Sequence, residues 1–124
     1  IPLLLDLDGN VSESIGANFF IVRQGRLVVP KTESTLQGVS RLTIMELSES
    51  LGIPVSEDNI QPYDVYTADE AFLCSTPYCI LPVGNVDGRK IGEFAPGPIT
   101  NQLLAAWSER VGIDIVDQLV RLPR

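Results

Sequence analysis

Three short segments of this chain carry side chains whose types and spacing suit chemistry. The first, Val11-Ser12-Glu13-Ser14-Ile15-Gly16-Ala17-Asn18-Phe19, sets one acid, Glu13, among small and apolar neighbours between two hairpin signals. Such a carboxylate is either a solvated loop acid or a group held for a ligand. The second, Leu36-Gln37-Gly38-Val39-Ser40-Arg41, puts a glycine and a hydroxyl at the opening of an apolar-periodic helix. The first N–H groups of a helix lack intrahelical partners and carry partial positive charge, so they bind anions. Plain N-capping by a small polar residue reads the same way. The third, Cys74-Ser75-Thr76-Pro77-Tyr78, offers hydroxyls between one strand and the next, as an ordinary turn also does.

What is missing narrows the chemistry. The 124 residues contain no histidine, which excludes Ser–His and Cys–His nucleophile pairs within this chain and an HExxH zinc site. Cys74 and Cys79 are too few for a structural zinc site and are not spaced as a CxxC redox pair. They read as small buried apolar residues of an intracellular protein. The net charge is −7 and the nine basic residues are scattered, which argues against nucleic acid as a partner. An anionic ligand must therefore be held locally, by backbone N–H groups and a few side chains. No apolar run approaches the ~20 residues of a membrane span, and no secretory signal is visible. A 44% hydrophobic content with 20% charged residues fits one ordinary globular domain.

The elements that must position these segments follow from pattern. Leu3-Leu4-Leu5, Asp8-Gly9-Asn10 and Val11 predict a strand, a turn and a strand. Asp6-Leu7-Asp8-Gly9-Asn10 resembles the start of a calcium loop but has Val11 at the sixth position and Ala17 at the twelfth. Phe19–Val22 and Leu27–Val29 around Gln24-Gly25 predict a second hairpin, ended by Pro30. A helix is expected over Val39–Leu51, with Leu42, Ile44, Met45, Leu47 and Leu51 as its buried face, stopped by Gly52 and Pro54. A short strand near Ile53–Val55, a helical turn at Tyr63–Tyr66, and strands at Ala71–Cys74 and from Cys79 to Val86 come next. Pro98 opens a helix bearing Ile99, Leu103, Trp107 and Val111, with Gly112 as its stop. Ile113–Leu122 predicts a last helix. Trp107, Tyr63 and Tyr66 read as packing residues. The mixture predicts an α/β or α+β domain with a largely buried sheet.

Taken in order, the motifs resemble class IV aminotransferases, which use pyridoxal 5'-phosphate (PLP) and include branched-chain, D-amino-acid and (R)-amine transaminases. The matching residues are Glu13, Asn18-Phe19-Phe20, Leu36-Gln37-Gly38-Val39-Ser40-Arg41, Ala68-Asp69-Glu70-Ala71-Phe72, Ser75-Thr76 and Gly97-Pro98-Ile99-Thr100. They cover essentially the whole chain, in register. The resemblance implies the fold-type IV C-terminal domain, a barrel-like sheet with flanking helices, and residues 1–124 as a single cofactor-binding lobe. It implies that Glu13 is the catalytic acid contacting the pyridine nitrogen of PLP, and that Leu36 packs on the ring. Gly38, Val39 and Ser40 are implied to bind the cofactor phosphate at the helix mouth, with Ser75 and Thr76 at the same group. Hydrogen bonds to a charged group contribute roughly 1.5–3 kcal/mol each, enough for several to hold a phosphate on an acidic protein. Tyr78, next to that turn, is a candidate for the substrate pocket.

The resemblance also implies an amino acid or amine as donor, a 2-oxo acid as acceptor, a homodimer and a cytoplasmic location. Two departures bear on activity. Pro77 stands where the family commonly offers an N–H to the substrate carboxylate, and proline has none. The family's Schiff-base lysine lies upstream of the acid, which here falls before Ile1, and neither Lys31 nor Lys90 occupies its position. The N-terminal lobe and the lysine segment are thus expected to lie outside this chain, and the chain alone is expected to be inactive. The alternatives are a PLP-dependent lyase of the same fold, similar to aminodeoxychorismate lyase, and a non-catalytic remnant or interaction module. Thr76 favours the transaminase.

Overall fold

A computed structural model of the chain describes residues 1–31 and 35–121. Its centre is strand β3 (Ala17–Arg23), whose residues Asn18 to Val22 are all buried. Alternation along β3 sends Phe20 and Val22 to one face of the sheet and Phe19 and Ile21 to the other. Both faces are covered, which is why this stretch reads as a continuous apolar run rather than an alternating one. Along one edge β3 pairs antiparallel with β6 (Glu70–Ser75), from Asn18↔Cys74 to Val22↔Glu70. Its other edge is shared. β2 (Val11–Ser14) takes the start of the strand, and β4 (Arg26–Pro30) takes the end. β1 (Leu3–Leu5) extends the sheet beyond β2, and β7 (Cys79–Pro82) extends it beyond β6.

Helix α1 (Val39–Leu51) is the crossover that lets β5 (Val55–Asp58) pair parallel to β4. Its bounds are those read from the sequence, and Gly52 closes it in the left-handed region at φ 71°. Its buried face differs from the expected one. Ile44 and Leu47 are buried together with Ser40, Arg41 and Ser48, whereas Leu42 and Leu51 are exposed. The Ser48 hydroxyl satisfies itself inside the helix, donating to the Ile44 carbonyl at 2.8 Å.

α1 packs with α3 (Pro98–Val111) and α4 (Ile115–Arg121) on one face of the sheet, around Phe20, Phe72, Leu103 and Trp107. The Phe20 and Phe72 rings stack there with centroids 4.9 Å apart. Trp107 is buried as expected, but Val111 faces outward. The other face carries Ile21, Leu73, Ile60 and Val65, with α2 (Pro62–Tyr66) and the β8–β9 hairpin (Asn85–Val86 and Arg89–Lys90) beside it. Tyr63 is exposed, so it is not a packing residue; Tyr66 donates its hydroxyl to Asp87 at 2.6 Å and lies under the Arg89 guanidinium. α4 starts two residues later than expected because the Asp114 carboxylate accepts from the amides of Val116 and Asp117. The expected end at Leu122 lies outside the described residues.

The sheet does not close into a barrel. Closure requires the outer strands to bond to each other, and among the described residues β1, β5 and β7 each pair with a single strand. No helix among the described residues is long and apolar enough to cross a membrane.

Two close approaches fix the turns around this sheet. Gly92, at φ 63°, lies against the Asp69 carbonyl, where any Cβ would fall 1.9 Å from the oxygen. Glu70, buried at the start of β6, sends its carboxylate to the N-terminus of α3 and accepts from Ile99 N at 3.0 Å and Thr100 N at 2.8 Å. Gly97 makes room for it, since a Cβ there would lie 2.3 Å from the Glu70 carboxyl carbon.

Candidate functional site

The register of three neighbouring strands lays a row of polar side chains across the sheet. Glu13 on β2 stands opposite Asn18 on β3, and Asn18 stands opposite Cys74 on β6. Glu13 is therefore a strand residue, not the loop acid its small neighbours suggested. Asn18 and Cys74 share the face of Phe20 and Phe72, the one that α1 covers. The Leu36–Gly38 stretch then brings the first turn of α1 over the end of this row.

The result is a cleft of about 350 Å³. Every residue that the resemblance assigns to the cofactor lines it: Glu13, Leu36, Gly38, Val39, Ser40, Ser75 and Thr76. Gly16, Ala17, Asn18, Cys74 and Pro77 complete the lining. Tyr78 does not; it packs against the core cluster on the opposite face. Lys31 lines a separate depression with Asp6, Asp8 and Asn59, and Lys90 sits in β9. Neither amine reaches the cleft.

The Glu13 carboxylate is held from two directions. Its Oε2 accepts from Asn18 Nδ2 at 3.2 Å and from Leu36 N at 3.1 Å. Asn18 Nδ2 also donates to the Leu36 carbonyl at 2.8 Å. Asn18 stands in the Asn18-Phe19-Phe20 motif of the resemblance, but the resemblance assigns it no role at the site.

At the other end, α1 begins at Gly38, and among the described residues no side chain hydrogen-bonds to its first amides. The other helices are capped: α2 by a reciprocal Gln61–Asp64 box, α3 by Glu70 and α4 by Asp114. Val39 and Ser40 thus bring the first turn of α1 to the cleft, with Ser40, Ser75 and Thr76 in its lining. The Ser75 hydroxyl is a hydrogen-bond partner of Tyr78. Gly38 is required by proximity. A Cβ there would lie 2.9 Å from Asn18 Oδ1, and that carboxamide is already fixed by its bonds to Glu13 and Leu36.

Arg41 turns away from the cleft. Its buried guanidinium makes long contacts, 3.5 Å each, to the Pro30 carbonyl and Glu57. Both cysteines are free; Cys74 is buried, while Cys79 is only half-buried, in the β6–β7 turn at φ 60°. Burial is the main reason the Cys74 thiol is pushed up to about 12. Its folded pKa lies above the ordinary 9.0, so stability is full below pH 9 and falls as the unfolded thiol ionises, through about pH 12. Urea titrations of wild type and Cys74→Ala from pH 8 to 11 should show the mutant losing less stability on the alkaline side. Parallel pH curves would contradict this reading.

The cleft thus runs from a carboxylate to a helix mouth lined by serine and threonine, on a mixed α/β sheet. A family model described as amino-transferase class IV matches residues 1–86, and the chain belongs to that family. It is similar to the branched-chain-amino-acid aminotransferase of Pseudomonas aeruginosa, 38% identical over 109 residues. The match covers 88% of this chain and 36% of that protein. The Escherichia coli K12 enzyme of the same name is 40% identical over 106 residues, covering 85% of this chain and 34% of the relative. The chain thus spans about a third of the length of the curated relatives it matches.

Among solved structures, the branched-chain amino acid aminotransferase of Escherichia coli superposes with a TM-score of 0.81 at 37% identity, covering 89% of this chain and 37% of that one. The Thermobaculum terrenum enzyme, described in its PLP-form, superposes at 0.82 and 33% identity, covering 92% and 38%.

Proposed function

We propose that this chain is the cofactor-binding lobe of a PLP-dependent aminotransferase that moves an amino group from an amino acid or amine to a 2-oxo acid. One observation carries the reading: Glu13, Leu36 and the mouth of α1 line the same cleft. Its volume lies at the lower end of the ~300–1,000 Å³ usual for ligand sites, and its two ends differ in sign as a ligand with a basic ring nitrogen and an anionic tail requires. The named relatives and the PLP-form neighbour support the same assignment.

Bound PLP supplies an electron-accepting ring that stabilises negative charge at the substrate's α-carbon. Glu13 keeps the pyridine nitrogen protonated. Asn18 and Leu36 hold Oε2, so we assign Oε1 to the ring nitrogen's proton. The amides of Val39 and Ser40 and the hydroxyls of Ser40, Ser75 and Thr76 bind the phosphate, and Gly38 lets the loop come close enough to do so. Leu36, exposed at the cleft, would pack on the ring and keep water from it. Pro77 lines the cleft without an N–H to offer, so a substrate carboxylate has to be bound by other groups. A lysine that anchors the cofactor would have to come from outside these 124 residues, since Lys31 and Lys90 lie away from the cleft.

The experiment is transfer from an amino donor to 2-oxoglutarate by the whole protein carrying this lobe, followed by product analysis. Stoichiometric formation of glutamate is the expected result. Elimination products with no consumption of acceptor would instead make it a lyase. Ser40→Ala removes one charge-assisted hydrogen bond and should weaken PLP binding by about tenfold or more. Fluorescence titration of the cofactor-free protein measures it, and an unchanged Kd would remove Ser40 from the phosphate site.

A further inference from the structure

We infer that Asn18 is a positioning residue that locks the Glu13 carboxylate and the Leu36 loop into one unit, setting the acid in register with the helix mouth. The inference rests on the cofactor-lobe reading above. Asn18 is buried on the central strand, so its backbone cannot drift. Its Nδ2 donates to both Glu13 Oε2 and the Leu36 carbonyl, and Leu36 N returns a bond to the same Oε2. A closed triangle of three hydrogen bonds results, joining β2, β3 and the loop before α1. The Leu36 carbonyl also accepts from Gly38 N at 3.0 Å, and the Asn18 oxygen borders the Cα of Gly38. One carboxamide therefore connects the acid, the residue beside the ring and the first residue of the anion-binding turn. Without it, Glu13 keeps, among the described residues, the Leu36 amide alone, and that loop loses its link to the sheet through Asn18.

A side chain that merely filled space would behave differently from one that clamps. Asn18→Asp keeps the shape but removes both donors and sets a second carboxylate against Glu13 and the Leu36 carbonyl. Asn18→Ala removes volume and donors together. Packing alone makes the alanine worse; the clamp makes the aspartate worse.

The test uses the whole protein. Hydrogen exchange of the Leu36 amide is followed without cofactor, and the pH dependence of the bound cofactor's absorbance is followed with it. Glu13→Gln serves as the reference. For Asn18→Asp we expect Leu36 to exchange at least about tenfold faster, Phe20 and Phe72 amides to stay protected, and the absorbance midpoint to move in the direction seen for Glu13→Gln. Asn18→Ala should do the same to a smaller degree. If Asn18→Asp does not fold, Asn18→Ala is measured in the wild-type and Glu13→Gln backgrounds, and its effect on the midpoint should shrink in the second. Wild-type exchange at Leu36 overturns the proposal, as does an Asn18→Asp effect smaller than that of Asn18→Ala, or full additivity in the cycle. A midpoint that moves for Glu13→Gln but for neither Asn18 variant overturns the clamp and leaves the cofactor reading standing. A midpoint that ignores Glu13→Gln as well ends both.

Discussion

Glu13→Ala in the whole protein should lower turnover by about 100-fold or more while leaving PLP retention within a few fold, because losing one group that stabilises charge developing in the transition state typically costs about 10²–10³-fold. The two quantities separate because the cleft divides its work. On the proposed reading, phosphate binding falls to the α1 amides with Ser40, Ser75 and Thr76, whereas the Glu13 carboxylate bonds to Asn18 and the Leu36 amide. The ring end rests on the carboxylate that Asn18 and Leu36 N hold at 3.2 and 3.1 Å. Removing it leaves the ring nitrogen without its proton partner, so the loss falls on the step in which negative charge develops at the substrate. The loss should therefore appear in kcat as well as kcat/KM. Glu13→Gln should fall between wild type and Ala, since its amide can bond to the ring nitrogen without keeping it charged. Turnover and absorbance of the loaded protein measure both effects, and a mutant that turns over like wild type would remove Glu13 from the chemistry.

Glu70→Ala should cost the fold roughly 3 kcal/mol or more, the largest stability loss expected from a polar residue here. The substitution strands two amides at the start of α3, and a buried donor without a partner costs about 1–3 kcal/mol. Thr100 is only 1% exposed, so water cannot replace the carboxylate there. Gly97→Ala should approach the same loss by another route, because its Cβ would lie within 2.3 Å of the Glu70 side chain. Glu70→Gln should be milder, since one of its two oxygens survives as an acceptor. Urea unfolding of the 124-residue chain, read from its single tryptophan, gives the values. Trp107 sits on α3 in the same core cluster and reports directly. A loss below about 1 kcal/mol, the net worth of an ordinary hydrogen bond, would mean that α3 does not depend on this cap.

The two results concern different halves of the same motif set. Glu13, Ser40 and Thr76 belong to the cleft. Glu70 and the Gly97–Thr100 stretch do not line it. They bond to each other and hold α3 on the sheet. Motifs that looked equally functional in one dimension are thus divided between the cleft and a structural clasp.

The chain order of residue types by itself determined most local elements and most of the cleft's lining. The strand expected from Cys79 to Val86 is two, β7 and β8, and the one expected at Ile53–Val55 runs Val55–Asp58. α1 runs Val39–Leu51 and α3 starts at Pro98 and stops before Gly112, as read from periodicity and stop signals, because helix ends are set by residues a few positions apart. The three chemical segments were legible for the same reason: each is a contiguous stretch. Long-range packing decided the rest. Periodicity says which residues are apolar but not which face a neighbour covers, so Leu42, Leu51 and Val111 ended exposed while Ser40, Arg41 and Ser48 were buried. Strand register turned Glu13 from a loop acid into a strand residue opposite Asn18. Sharing of one β3 edge between β2 and β4, and the open sheet beyond them, depended on which strands meet. The Glu70 cap spans 29 residues, and the Asn18 triangle joins positions up to 23 apart. Contacts at such separations leave no periodic trace in sequence, because their partners become neighbours only once the sheet has formed.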